Sequence, residues 1–78
     1  MSPKLPVVKA RDLVRVATKL EFVFDHQKGS HAVYYRGKDK TRAVIPMHTG
    51  IDIKTKTLES ILEDMDITPE EFWRLLHE

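Results

Sequence analysis

One short segment combines residue types that could do acid–base chemistry on a phosphate. Residues 27–31 read Gln-Lys-Gly-Ser-His, with strand-like residues on both sides. His31 can give or take a proton near neutral pH, and Lys28 can neutralise phosphate oxygens. Gly29 would let a backbone approach closely. The segment is compatible with phosphodiester chemistry, although a histidine after a Gly-Ser turn is usually just a solvated residue.

The elements that must hold this segment are three predicted strands. Aromatic and β-branched residues alternate with polar ones over residues 22–27, 31–36 and 41–48, which is typical of half-buried strands. The segment Gly37-Lys38-Asp39-Lys40 between the last two strands is a predicted hairpin turn. Consecutive strands with short turns predict an antiparallel sheet.

Helical patterns flank these strands. Apolar residues recur at helical spacing over 10–20 and again from Thr57 to Met65, whereas residues 49–56 show little periodicity. In the segment ITPEEF, Thr68 can cap a helix, Glu71 completes a capping box and Pro69 suits the first position. The order predicts one α+β domain over residues 1–78. It is α-β-β-β-α, with the last helical region broken near Asp66, and the helices cover one face of the sheet.

The alternation predicts which side of the sheet His31 occupies. If residues 37–40 form a four-residue loop, His31 faces Pro46 and both lie on the face away from the helices. Phe22 and Phe24 fit the covered face only if the first turn has three residues, Lys28-Gly29-Ser30, with Gly29 left-handed. A two-residue turn would instead bury Asp25 without a partner. We therefore expect His31 on the open face.

Other polar residues should surround His31 on the open face and its rims. His48 should lie diagonally from it, about 7–8 Å away. The candidate residues for contact with a phosphodiester substrate are Lys28, Gly29, Ser30, Tyr35, Arg36, Lys38, Lys40, Arg42 and His48. A metal at the two histidines would lack an obvious third ligand, so we expect no metal or other cofactor.

The remaining histidines and aromatic residues receive structural interpretations. His26 has the parity of the covered face, which predicts a packed or edge histidine, and His77 lies in a terminal helical turn, where a cation suits the helix dipole. Five aromatic residues are expected in the core rather than in a stacking platform: Phe22, Phe24, Tyr34, Phe72 and Trp73.

Charge and composition narrow the class of protein. Residues 1–56 carry twelve Lys/Arg and five Asp/Glu, a net +7, whereas residues 57–78 carry one and seven, a net −6. A basic body with an acidic end is compatible with a polyanionic partner or with an ordinary mixed surface. The chain has no cysteine, no membrane-length apolar run and no signal-peptide pattern. We expect a soluble, cytoplasmic protein.

Three blocks of the sequence resemble the HicA family of toxin–antitoxin mRNA interferases. They are LVRVATKLEFVFDHQKGSHAVYY, AVIPMH and KTKTLESILEDMDITPEEF, in order from about Pro6 to Leu76. The resemblance implies a fold similar to double-stranded-RNA-binding domains, RNA cleavage dependent on His31, and neutralisation by a HicB-type antitoxin. Three positions where the family commonly has glycine differ here: Glu21, Lys56 and Asp66. A left-handed residue other than glycine costs on the order of 1 kcal/mol.

Two other functions stay open at this point. The chain could be a non-catalytic RNA-binding module, because fold alone does not fix function. It could also be a protein-interaction domain whose true ligand is the antitoxin. The RNA sequence preference, any dependence on the ribosome and the oligomeric state do not follow from the sequence.

Overall fold

The computed structural model describes residues 7–48 and 50–78. Its elements are α1 (Ala10–Lys19), β1 (Val23–Lys28), β2 (His31–Arg36), β3 (Thr41–Pro46), α2 (Thr55–Asp64) and α3 (Pro69–Leu76). This order confirms the predicted α-β-β-β-α fold, with the last helical region divided into α2 and α3. α2 begins two residues earlier than the pattern predicted, and β3 ends at Pro46 rather than at His48. Thr49, where the connecting segment was expected to begin, lies outside the described residues.

The three strands form one antiparallel sheet in the order β1-β2-β3, and the helices pack against one face of it. We call the uncovered side, which carries His31, Val33, Tyr35, Arg42, Val44 and Pro46, the open face. The covered side buries alternate residues of β2 and β3 against apolar residues from all three helices. The largest fully buried side chains are Phe22, Phe72, Leu13, Ile45, Leu58, Leu62, Met65, Val8 and Val16.

The first hairpin corrects the predicted loop length. Lys28 pairs directly with His31, so the turn has two residues, Gly29 and Ser30, and not three. Gly29 has the expected positive φ of 59°, which is the pattern of a type II′ turn when it occupies the first turn position. The extra residue is instead absorbed by a β-bulge at Asp25, between the pairs Phe24–Tyr34 and His26–Val33. The bulge keeps Phe24 on the covered side of the sheet, as predicted, while Asp25 stays exposed.

The bulged strand lies at the edge of the sheet, and all six of its residues are exposed. Phe24 shares the covered side with Tyr34 and meets it edge to face at 5.8 Å. It is nevertheless 54% exposed, because no helix extends far enough to cover it. The prediction that Phe24 is a core residue is therefore wrong, whereas Phe22 is buried as expected.

His26 and Trp73 also differ from expectation. The bulge moves His26 to the open face, opposite Val33, where its Nδ1 lies 2.6 Å from a carboxylate oxygen of Asp25. It is an edge histidine, as one of the two predicted alternatives had it, but an exposed one. Trp73 is half exposed, and its ring meets the ring of His77, the residue that follows α3, at 4.0 Å. The spacing of the helix predicts Trp73 on the flank of its buried face, and this position is confirmed, whereas its assignment to the core is wrong.

The helix ends follow local chemistry. Thr68 accepts a hydrogen bond from the Glu71 backbone N–H at 3.1 Å, and Glu71 accepts one from the Thr68 N–H at 3.2 Å, which confirms the predicted capping box. Glu21 and Asp66 adopt positive φ angles of 70° and 59°, as glycine-like positions after α1 and α2. Lys56 differs, because it lies inside α2 with an ordinary helical backbone.

Candidate nucleic-acid interface

His31 lies exposed on the open face, at the end of the sheet where the first hairpin closes. It begins β2 directly after the Gly29-Ser30 turn and lies opposite Pro46 on β3. His31 is exposed, and within residues 7–48 and 50–78 its imidazole makes no hydrogen bond. The predicted position of His31 on the open face is confirmed.

Lys28 is the candidate cation that pairs with His31 across the first hairpin. The two residues are directly opposite across the hairpin, and such pairs point to the same face with Cβ atoms about 4.5–5.5 Å apart. The ammonium group therefore lies within reach of any phosphate that contacts the imidazole. A cation beside a titratable residue can support proton transfer at a phosphodiester.

Ser30 and His48 extend this end of the site. The backbone N–H of Met47 donates to the Ser30 carbonyl at 2.6 Å, which prolongs the β2–β3 pairing past Pro46. His48 follows on the exposed side, so the structure brings it to the same end of the sheet as His31. Gly29 and Ser30 form the rim between Lys28 and His31.

The other candidate cations lie further away. Arg42 is on the open face opposite Tyr35, four residues along β2 from His31, and the turn at Lys38 and Lys40 lies beyond it. Four residues of strand span roughly 13 Å, and the turn is further still. These cations are therefore too far from His31 to share with it a single bound phosphate. Lys38 is also paired with Glu21 at 2.8 Å, and this hydrogen bond lowers the pKa of the Glu21 carboxyl.

Arg36 was placed with these cations by prediction, and that placement is wrong. It shares the covered side with Ala32 and Tyr34, its side chain is only 12% exposed, and its guanidinium lies 4.5 Å from the Phe22 ring centroid. It donates to the Leu20 carbonyl at 2.9 Å and to both carboxylate oxygens of Asp39 at 3.0 and 2.8 Å. These hydrogen bonds lower the pKa of Asp39 to about 2. Arg36 ties the second hairpin to the end of α1.

A groove beside His31 was not anticipated from the sequence. It has a volume of about 620 Å³ and lies between β3, the segment 51–54 and one side of α2. From α2 it is lined by Lys56, Thr57, Ser60, Ile61 and Asp64, and the last four follow i, i+3, i+4, i+7 spacing. That spacing is visible in the sequence, but it did not show that this side of the helix would face His31.

No group of three or more His, Cys, Asp and Glu side chains within residues 7–48 and 50–78 could hold a metal ion. The helices in the same ranges are also too short or too polar to cross a membrane.

The fold and the site together define a small α+β domain with helices on one face of the sheet and a lysine–histidine pair on the other. This topology is consistent with a fold like that of double-stranded-RNA-binding domains. A family model described as the HicA toxin of bacterial toxin–antitoxin matches residues 10–67, from the first residue of α1 to the residue before Thr68. The chain belongs to the HicA toxin family, as its resemblance predicted. No curated protein matches the chain.

Proposed function

We propose that this HicA toxin is an endoribonuclease that cleaves mRNA in the cytoplasm, with His31 as its catalytic residue, and that a HicB-type antitoxin neutralises it. The observation that carries the proposal is the exposed Lys28–His31 pair on the open face. The pair lies within the residues that match the family. A protein cation beside the proton carrier can do the charge neutralisation that a metal would otherwise do.

The proposed reaction uses the RNA as its own nucleophile. The ribose 2′-hydroxyl attacks the adjacent phosphorus, the bond from phosphorus to the 5′-oxygen breaks, and the products are a 2′,3′-cyclic phosphate and a 5′-hydroxyl. One proton leaves the 2′-oxygen and one reaches the 5′-oxygen. His31 performs one of these transfers, either as base at the 2′-hydroxyl or as acid at the leaving oxygen, and water performs the other. Lys28 or His48 stabilises the charge that develops on the phosphate oxygens.

RNA would follow the open face away from His31. Gly29 and Ser30 would contact its backbone at the turn, while Tyr35, Arg42, Lys38 and Lys40 would contact it further along. Arg36 is left out of this set because its guanidinium is already bound to Asp39 and Leu20 on the other side. Such phosphate contacts would make the affinity steeply salt-dependent.

Expression of His31→Ala in cells tests the proposal. We expect the parent to arrest growth and His31→Ala not to, while His77→Ala, on the opposite side of the fold, arrests growth like the parent. Purified parent should also cut labelled mRNA in the presence of a chelator. Equal growth arrest by the parent and His31→Ala would remove His31 from catalysis, and full inhibition by the chelator would contradict a metal-independent reaction.

A non-catalytic RNA-binding module is the second candidate. It is favoured by one observation, that nothing in the described part of the chain orients the His31 imidazole, as a partner normally does for a catalytic histidine. Labelled RNA separates the two functions, because a mobility shift without fragments would favour the module.

A further inference from the structure

The groove beside His31 is formed mainly by side chains from two elements, the strand β3 and the helix α2. Val44 and Pro46 come from the open face of β3, and Ser60 and Asp64 come from one side of α2. The segment 51–54 closes the groove at the end near His48. A volume of about 620 Å³ falls within the range of roughly 300–1,000 Å³ that small-molecule sites occupy.

The lining of the groove is partly apolar and carries charges of both signs. Its apolar lining consists of Val44, Pro46, Ile51, Ile53 and Ile61. The residues that could meet an anion are His31, His48, Lys54 and Lys56. The other lining residues are Asp52, Thr57, Ser60 and Asp64, whose carboxylate and hydroxyl oxygens can accept hydrogen bonds. This combination suits a flat, partly apolar ring joined to a phosphate.

Contacts with the segment before α1 hold the outer wall in place. The Lys9 ammonium group donates to the Asp52 carboxylate at 2.6 Å and to the Gly50 carbonyl at 3.2 Å. The Ile53 backbone N–H donates to the Val8 carbonyl at 2.7 Å, and Val8 is itself fully buried. The groove is therefore formed before any ligand arrives, which lowers the entropic cost of binding.

We propose that this groove binds one unpaired nucleotide of the RNA, next to the phosphate at His31. The base lies between the apolar walls, and its phosphate lies between His31 and the ammonium groups of Lys54 and Lys56. Asp64 accepts a hydrogen bond from an exocyclic amino group, which adenine, cytosine and guanine have and uracil lacks. This inference rests on the proposed function and narrows its substrate to single-stranded RNA with a base preference.

The geometry favours an unpaired base over a duplex for a physical reason. A double helix presents phosphates, 2′-hydroxyls and the edges of stacked bases, whereas single strands can offer a base face to a protein. Only the unpaired base can enter a groove between a strand and a helix. The Asp64 carboxylate would also repel a second phosphate backbone at the far wall.

Substitutions on neighbouring positions of α2 test the groove. Ser60→Phe fills it, while Glu59→Phe puts the same ring on an exposed position of the same helix outside it. Both are made in the His31→Ala background, with circular dichroism to check folding, and affinity is measured with a short single-stranded RNA and with its duplex. We expect Ser60→Phe to weaken single-strand binding at least tenfold and Glu59→Phe to change it less than twofold. The duplex should bind more weakly than the single strand, and Asp64→Asn should reduce discrimination against uracil.

Several results would overturn the groove proposal. Equal affinities of Ser60→Phe and Glu59→Phe would do so, as would duplex binding as tight as single-strand binding. If Ser60→Phe kept RNA binding but lost neutralisation by the antitoxin, the groove would be a protein interface. Cleavage assays on proteins that keep His31 distinguish the groove proposal from the proposed function. If the parent and Ser60→Phe cut RNA equally well, the endoribonuclease proposal stands and the groove proposal does not. A parent that never cuts, combined with groove-dependent binding, leaves only the nucleotide site.

Discussion

Lys28 and His31 are cross-strand partners at the closed end of the β1–β2 hairpin, with only Gly29 and Ser30 between them. A positive φ at Gly29 makes this tight connection possible. The turn thereby fixes the imidazole and the ammonium group on one face of the sheet. Their proximity is a property of the backbone register, so it does not depend on contacts between the two side chains.

The first prediction concerns Lys28. Lys28→Ala should weaken RNA binding and reduce the slope of log affinity against log salt by about 0.7, the value for one phosphate contact on a single strand. Arg15→Ala removes an exposed cation from α1, on the covered side of the sheet, and should leave the slope unchanged. Titrations of labelled RNA at several salt concentrations measure both variants. Equal slopes for the parent and Lys28→Ala would mean that Lys28 does not meet a phosphate.

Phe22, which precedes β1, and Phe24, which lies within it, give a stability prediction. Phe22→Ala should cost about 3–5 kcal/mol, because Phe22 is buried beneath Arg36 and the helices. Phe24→Ala should cost only about 1 kcal/mol, because Phe24 is half exposed and contacts mainly Tyr34. Urea unfolding of the two variants measures the difference. Similar losses would show that β1 is covered in solution.

The positive φ of Glu21 predicts that replacing this residue by glycine stabilises the fold. Glu21→Gly should raise the free energy of unfolding by about 0.5–1 kcal/mol, because glycine adopts a φ of 70° without steric cost. The lost pair with Lys38 is exposed and contributes little. Lys56→Gly is the matched control, since Lys56 is helical and glycine there should lower stability by up to about 1 kcal/mol. Thermal unfolding compares them, and destabilisation by both would contradict the account of Glu21.

Acid should weaken the second hairpin through Asp39. Its pKa is lowered from 3.8 to about 2 by the hydrogen bonds from Arg36. A carboxyl with a lowered pKa in the folded state stabilises the fold above its unfolded pKa, and this contribution is lost as the pH falls from about 4 through 2. The parent should therefore lose more thermal stability than Asp39→Asn over that range. An NMR titration of Asp39 with a midpoint near 3.8 would contradict the Arg36 contact.

The sequence predicted the fold and the face of His31 because both depend on local periodicity. The alternation of Ala32, Tyr34, Ala43 and Ile45 identifies the covered side, and the capping box identifies the start of α3. The bulge at Asp25 could not be predicted in the same way. A longer turn and a bulge restore parity equally well, and only the pairing of Lys28 with His31 shows which one occurs.

Other features depend on how the elements are placed relative to one another. The alternation along β2 predicts that Arg36 lies on the covered side. At the end of a strand, however, a long side chain can reach either face of the sheet. Its position is set by the Leu20 carbonyl and by Asp39. The groove required knowing which side of α2 passes the edge of β3, and a helical stripe alone does not specify its neighbour. Phe24 is exposed because the helices stop short of β1, which is likewise not a local property.

The most direct test of the central claim is the single-turnover rate of cleavage by His31→Ala at saturating protein over labelled mRNA. Removing a residue that transfers a proton in the transition state should slow cleavage by about 10²–10⁴-fold. The affinity for the RNA, measured in the same samples, should change less than about threefold, because binding rests mainly on phosphate contacts. A cleavage rate equal to that of the parent, with the RNA fully bound, would contradict the assignment of His31.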